Sequence, residues 1–441
     1  MDAPVVRIFD TLTPTNAAAG DFALQYVNLE SQLDELSRAN PLRSRVVWEA
    51  PEDSAEEKNA ARQLASEYFA KTAGKLVLTH DMPARNLWAE RYNEAARELF
   101  EEPEQTTVME LMVRERTELV TALSNGLELT PAASLILETY DRILPSGAEE
   151  LASEEALSEA DIQRATEDYK AELLSRYEDV FDLIEAEDKA QFTADDLKDL
   201  FEKAIQALQK KGEAGWDEWK VVMKDSRILS VNPRTREIEI GKDRPKAGVK
   251  KVRELLAHEL LVHGLRANNS HLLGDKALID GLPGYDGVEE GLGKFAEHAV
   301  TGSKPPTSAD HYVDIGLALG VVNGEQLNRH QVFELAVARK LVRAQLAGKY
   351  GDLRLSKLLT ETAASVDRIF YGTPGDTLPA RQAIFIKETS YYGGYRKVLE
   401  YVVRGRREGK RMEEIFSFIN SARFDPTNPQ HVQYMKERGN A

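Results

Sequence analysis

Apolar residues recur at three- and four-residue intervals along most of the chain, a spacing that predicts helix. Helices are expected over 24–36, over 55–73 with Gly74 as the stop, and over 87–99 with Pro103 closing the last of these. Residues 106–125 and 130–143 read as two more, divided by Gly126 and Pro131. The stretch 149–190 is strongly acidic with helical spacing and reads as a solvated amphipathic hairpin. Thr193-Ala194-Asp195-Asp196 has the form of a capping box. Leu197, Leu200, Phe201, Ala204, Ile205 and Leu208 then make one apolar stripe, ending at Gly212.

The period changes at Trp216. Residues 219–223 and 228–231 are strand-like, Asn232-Pro233-Arg234-Thr235 is a turn signal, and Glu237-Ile238-Glu239-Ile240 alternates with period two. Helical spacing returns with Val249, Val252, Leu256 and Leu260. A loop is expected over 266–287, rich in Asn, Gly, Asp and Pro. Helices follow from Glu289 through His298, over 307–347 and over 352–365. The fold class is mainly α with a small β element (α+β).

One helix carries candidate chemistry: His258-Glu259-Leu260-Leu261-Val262-His263. In H-E-x-x-H two histidines on one helix face bind zinc, and the glutamate acts as general base. Here one extra residue intervenes. At roughly 100° per residue, positions i and i+5 of an α-helix diverge by about 140°. The two rings meet at one metal only if the helix widens locally, as in a π-bulge with i to i+5 closure. A widened or unwound segment is therefore expected from Glu259 to His263, stopping near Gly264. The alternative is two unrelated histidines on a buried helix. A third ligand is available downstream in Val288-Glu289-Glu290-Gly291-Leu292-Gly293. Two histidines and a glutamate, with a fourth position left to water, form a catalytic zinc arrangement.

Composition narrows the field. The chain has 441 residues, a net charge of −17 and no cysteine. Cysteine-ligated zinc, disulfides and thiol nucleophiles are excluded. The acidic balance argues against nucleic acid or an anionic membrane as partner. The opening MDAPVVRIFD lacks a basic region followed by an apolar one, and no apolar run approaches a membrane span, so a cytoplasmic protein is expected. The strand pattern before the histidine helix could accept a peptide as an added strand, or could be a packing hairpin. His271, in the expected loop beside the metal, is either a catalytic or substrate-binding residue or a solvated histidine. His298 lies about 12 Å along its helix from Glu290, a poor fourth ligand. Arg404-Gly405-Arg406-Arg407 is a basic cluster that reads as a solvated helix end or a docking point for an acidic partner.

With these motifs in view, the chain resembles the microtubule-associated tyrosine carboxypeptidases and their bacterial relatives, the QEGLA-motif proteins. These pair an H-E-x-x-x-H helix with a downstream [QE]-E-G-L-A segment, here Glu289-Glu290-Gly291-Leu292-Gly293 with glycine in the alanine position. Residues 228–240 are similar to the family's strand pair. Arg368-Ile369-Phe370-Tyr371-Gly372 is similar to its R-x-x-R-G, with Tyr371 in place of the second basic residue. Residues 385–394 fit its F-x-K-D-x-x-Y-x-x-G, and 91–103 match more loosely. The likeness spans about 85–430, and the metal motifs are its most specific part.

The resemblance implies a zincin-like (gluzincin) metallopeptidase core embedded in a large helical scaffold. The scaffold would occupy 1–212, the metal-binding core 213–330, and a helical region completing the cleft 331–441. One Zn2+ per chain would be held by His258, His263 and Glu290, with Glu289 orienting a ligand histidine. Exchanged roles for Glu289 and Glu290 are the alternative, and the family pattern favours Glu290. Glu259 would move protons between water and the leaving amine. The substrate would be a peptide or protein C-terminus, with tyrosine or another aromatic residue at the end. Such a substrate needs a cation for its carboxylate and a donor for the developing oxyanion. Arg368 and Lys387 are the candidate cations; Tyr371, Tyr391 and Tyr392 are candidate donors or pocket walls. An endopeptidase or aminopeptidase with the same core, or a non-enzymatic regulatory protein with a structural zinc, are the rival readings.

Overall fold

The computed structural model describes Asn93, Arg97, residues 102–148, 157–302, 306–349, 355–370, Ile384, Ile386 and 389–438. The helices expected over 24–36 and 55–73, most of the one over 87–99, and Tyr371 and Lys387 lie outside the described residues. In chain order the structure contains α1 (Glu102–Ser124), α2 (Pro131–Ile143), α3 (Glu159–Ala186), β1 (Gln191–Phe192) and α4 (Ala194–Lys210). A 3-10 turn (Trp216–Glu218) leads to β2 (Lys220–Lys224), β3 (Leu229–Asn232), β4 (Glu237–Gly241) and β5 (Ala247–Gly248). Next come α5 (Val249–Leu255), a π-helical segment (Leu256–Gly264), α6 (Leu265–Leu273), α7 (Lys276–Asp280) and α8 (Asp286–Thr301). The chain continues with α9 (Pro306–Leu319), α10 (Arg329–Leu346), α11 (Leu355–Ile369), α12 (Thr389–Arg407), α13 (Met412–Ile419) and α14 (Pro429–Glu437). The fold is mainly helical, and no described helix is long and apolar enough to cross a membrane.

The chain divides into two compact units, one of residues 1–156 and 307–388, the other of 157–306 and 389–441. This differs from the three consecutive regions expected. The second unit closes only when α12 returns from far along the chain to pack on α8.

In the first unit, Arg339 of α10 is buried and ties two other helices together. Its guanidinium donates to Glu115 of α1 at 2.9 Å and to Asp310 and Asp314 of α9 at 3.0 and 2.7 Å. Tyr140 of α2 donates its hydroxyl to the same Glu115 at 2.5 Å. Burial works to raise the Glu115 pKa, but Arg339 and Arg343 outweigh it and hold the group at about 2.

In the second unit, α3 corrects the expectation of a solvated hairpin over 149–190. It is one helix, kinked at Tyr177, that buries Tyr169, Leu173, Val180, Phe181 and Ile184. Those residues recur at helical intervals, and burial of that stripe overrides the polarity of the opposite face. The capping box at Thr193 and Asp196 is formed, and the α4 stripe is buried. Strands β2, β4 and β3 form a sheet in that order, with β2 parallel and β3 antiparallel to β4. Val221 lies opposite Ile238 and Leu229 opposite Ile240. Asn232 shapes the β3–β4 turn by accepting from the backbone N–H groups of Arg234 and Thr235. Strands β3 and β4 rest against the π segment.

Two expectations about loops are corrected. The histidine helix does not stop at Gly264: it runs on as α6 to Gly274, whose φ of 68° ends it. Residues 266–273 are therefore helical, and α7 follows within what was expected to be loop. The Trp219 indole donates to Asn268 at 3.1 Å, and Asn268 donates to the Ala214 carbonyl at 2.8 Å. Buried polar partners thus hold α6 onto the start of β2. Pro103, expected to close a helix, instead sits in the first turn of α1, where its missing N–H costs nothing.

Helices α8 and α12 cross at glycines. A β-carbon at Gly291 would overlap the Gly394 backbone, and one at Gly394 would overlap the Gly287 carbonyl. No side chain larger than hydrogen fits between them, so the axes approach closely and α12 is held tight against α8. Gly394→Ala is therefore expected to destabilise the protein by about 1–3 kcal/mol, the usual cost of overpacking. Chemical denaturation of the purified variant checks this; an unchanged midpoint would contradict the close crossing.

Candidate metal centre

The π segment solves the spacing problem of the two histidines. The Leu265 N–H donates to the Leu260 carbonyl, an i to i−5 bond. Closing a turn over five residues returns His263 to the face of His258. The ring centroids are 4.7 Å apart and nearly edge-on, at 68°. The segment spans Leu256–Gly264, wider than the expected 259–263. Its apolar residues Leu256, Leu260, Leu261 and Val262 are buried, which fixes the orientation of the histidine face.

Helix α8 brings Glu290 to that face. Its Oε2 lies 3.5 Å from Nε2 of His258 and 3.9 Å from Nε2 of His263. One donor atom from each of His258, His263 and Glu290 lies within 4.8 Å of the others. Four ligands at about 2.1 Å in a tetrahedron stand about 3.4 Å apart, so the three donors fit a metal of that kind with little adjustment. No other group of three or more His, Asp or Glu side chains among the described residues has this geometry.

Carboxylates set both rings. The Nδ1 of His258 donates to Glu297 at 2.7 Å, and the Nδ1 of His263 donates to Glu289 at 3.2 Å. Each proton is thereby fixed on Nδ1, and each Nε2 lone pair faces the shared point. Burial opposes a charged His258, but contacts with Glu290 and Glu297 prevail and raise its pKa to about 9. The same negative surroundings that favour a proton there favour a metal cation. Glu289 is buried and clamped by Arg266 at 2.9 Å and Arg423 at 3.4 Å. Burial would raise its pKa, yet those two guanidinium groups and His263 hold it at about 2. Glu297 is likewise held at about 2, burial being outweighed by His258 and by Lys294, whose ammonium lies 3.0 Å away.

Arg266 lies one helical turn beyond His263 and is fully buried. Besides Glu289 it donates to the carbonyls of Ala422 and Phe424. Arg423 donates to the Ile279 carbonyl at 2.7 Å and to the Tyr285 hydroxyl. Glu297, Arg266, Arg423 and Lys294 were not singled out in the sequence. Glu297 had a signal, since it stands seven residues after Glu290 and so on the same helix face. The two arginines had none, because their partners are distant in sequence.

Glu259, half-buried on the π segment, feels His258, His263, Glu290 and Arg244 as its charged neighbours. Burial raises its pKa above the usual carboxylate value. A β-carbon at Gly293 would lie 2.6 Å from the His258 ring. Glycine at this position lets α8 approach the imidazole directly.

The remaining predicted residues fall in several places. His271 is on α6 and is committed to the β3–β4 turn: its Nε2 donates to the Pro233 carbonyl at 2.7 Å and its Nδ1 accepts from Arg236 at 3.1 Å. Tyr391 and Tyr392 are half-buried on α12. The Lys294 ammonium stands 5.5 Å from the Tyr391 ring centroid, and Tyr392 stacks on Tyr395 at 6.2 Å. Arg368 is exposed in the last turn of α11, in the first unit. His298 is bonded to the Tyr395 hydroxyl at 2.8 Å. Arg406 and Arg407 of the basic cluster pair with Asp168 and Asp161 of α3 at 2.9 and 2.6 Å.

Removing the charge of Glu297 tests the ring-setting role. Glu297→Gln is expected to weaken metal binding by about 10–100-fold, the usual cost of losing such a carboxylate. A competitive chelator titration measures it, and an unchanged affinity would contradict the role. No protein-family model, curated protein or solved structure matches the chain, so the family resemblance rests on the motifs themselves.

Proposed function

We propose that the chain is a zinc metallopeptidase that removes the terminal residue from peptide or protein C-termini. The observation that supports it is the donor set. Two histidine Nε2 atoms and a glutamate oxygen converge, with their Nδ1 protons on carboxylates and a further glutamate next to the first histidine. Nitrogen and carboxylate donors without thiolate suit zinc in a catalytic rather than a purely structural role. Zinc bound here would lower the pKa of a water in its open position to about 7 and polarise the scissile carbonyl.

The chain's own groups supply the rest. Glu259 takes the proton of the attacking water and delivers it to the leaving amine. Glu289 and Glu297 keep the two imidazoles in one tautomer throughout. Arg266 and Arg423 fix Glu289, so His263 keeps its orientation without relying on the substrate. The carboxypeptidase direction and the preference for a terminal aromatic residue come from the family resemblance, and the half-buried Tyr391, beside Lys294, and Tyr392, stacked on Tyr395, offer aromatic surface consistent with it.

Glu259→Gln separates binding from turnover. Zinc content is expected to match the wild type, while peptide hydrolysis falls by about 10²–10⁴-fold, the worth of a general base. Hydrolysis of a C-terminally varied peptide panel at the wild-type rate would overturn the mechanism.

A further inference from the structure

Among the described residues of the second unit, one cation that acts on the candidate site has no bonded partner. Arg266 and Arg423 are committed to Glu289 and to backbone carbonyls, and Lys294 to Glu297. Arg244 differs from all three. It lies in the loop between β4 and β5, just ahead of the helix that carries both histidines. Its backbone N–H closes a turn to the Gly241 carbonyl at 3.2 Å. Its side chain is half-buried, and among the described residues the guanidinium makes no hydrogen bond and no ion pair. The Glu259 carboxylate is the one charge that acts on it, and Arg244 in turn works to lower the pKa of Glu259.

Half-burying a guanidinium without bonding it is costly, because the group loses water and gains nothing in return. The cost shows as a pKa held below the usual arginine value by burial. Such a group beside a reaction centre is suited to a ligand that completes it. The planar fork of an arginine matches a carboxylate through two parallel N–H donors. In an exopeptidase, the terminal carboxylate lies one residue, about 3.8 Å of backbone, beyond the scissile bond. A cation that reads it must therefore lie within electrostatic reach of the base that serves that bond, as Arg244 does of Glu259.

We infer that Arg244 binds the free α-carboxylate of the substrate's terminal residue and so selects peptides with an unblocked C-terminus. This rests on the peptidase reading and gives the role expected of Arg368 or Lys387 to a residue of the metal-binding unit itself.

The test uses N-acetylated dipeptides ending in aliphatic, aromatic, acidic or basic residues, each as the free acid and as the C-terminal amide. Binding is measured by calorimetry on the full chain treated with a chelator, so that no cleavage occurs. Hydrolysis is measured separately on the zinc-loaded protein. The best free acid is expected to bind wild type about tenfold or more tighter than its amide. Arg244→Ala should erase that difference while zinc content and melting temperature stay at wild-type values, and Arg244→Lys should restore part of it. Equal binding of acid and amide by wild type, or a difference that survives in Arg244→Ala, overturns the assignment. So does loss of zinc or of folding in both variants, which would make Arg244 a structural residue. The two readings fail separately. Cleavage of acids and amides alike, unaffected by Arg244→Ala, removes the role of Arg244 and leaves a peptidase. Acid-selective binding that depends on Arg244 without any hydrolysis keeps the anion site and removes the peptidase reading.

Discussion

Everything at the metal centre depends on a backbone that closes its turn over five residues instead of four. With α-helical geometry throughout, the His258 and His263 rings would point about 140° apart. The π geometry of Leu256–Gly264, closing over five residues, brings them to one side. A π segment is uncommon because its packing is poorer than that of an α-helix. Here it is held from both ends by regular helix and from one face by β3 and β4. Its interior is lined by Leu256, Leu260, Leu261 and Val262, all buried. Stability drawn from that packing is what permits the local departure from α geometry.

A second constraint is electrostatic. Glu259, Glu289, Glu290 and Glu297 crowd around two imidazoles in a largely buried place. Carboxylates at this density repel one another unless cations are interleaved. Glu289 has Arg266 and Arg423, and Glu297 has Lys294. Glu290 and the two Nε2 atoms face a common point, where a divalent cation would complete the balance. Arg244 extends the same logic outward, from cations that hold the site together to one that is available to a substrate. The close glycine crossing of α8 and α12 then fixes how near the aromatic face of α12 can come to Lys294 and the ligands.

Much of this was legible in the chain. The six-residue H-E-x-x-x-H span implies helix widening from geometry alone, and the Glu289-Glu290 pair supplies a third ligand. The capping box at Thr193 and the apolar stripe of α4 follow from local chemistry. What could not be read is long-range. Arg266 and Arg423 look like ordinary surface charges until folding brings them to Glu289. Gly264 looked like a helix stop, but its backbone stays helical and packs under Trp216, so the helix runs on to Gly274. The charge of the acidic stretch over 149–190 predicts a solvated face, while the Tyr169, Leu173, Phe181 and Ile184 stripe decides its burial. His271 was placed in a loop and is instead a helical residue bracing the β3–β4 turn.

The most direct test of the account is the metal itself. Elemental mass spectrometry on wild type and on His258→Ala, each purified without added metal, reads it. The account predicts about one zinc per chain in wild type and almost none in the variant, because losing one of three ligands opens the site. Wild type that stays metal-free even after zinc is supplied would contradict it, and would leave two histidines and a glutamate brought together for packing alone.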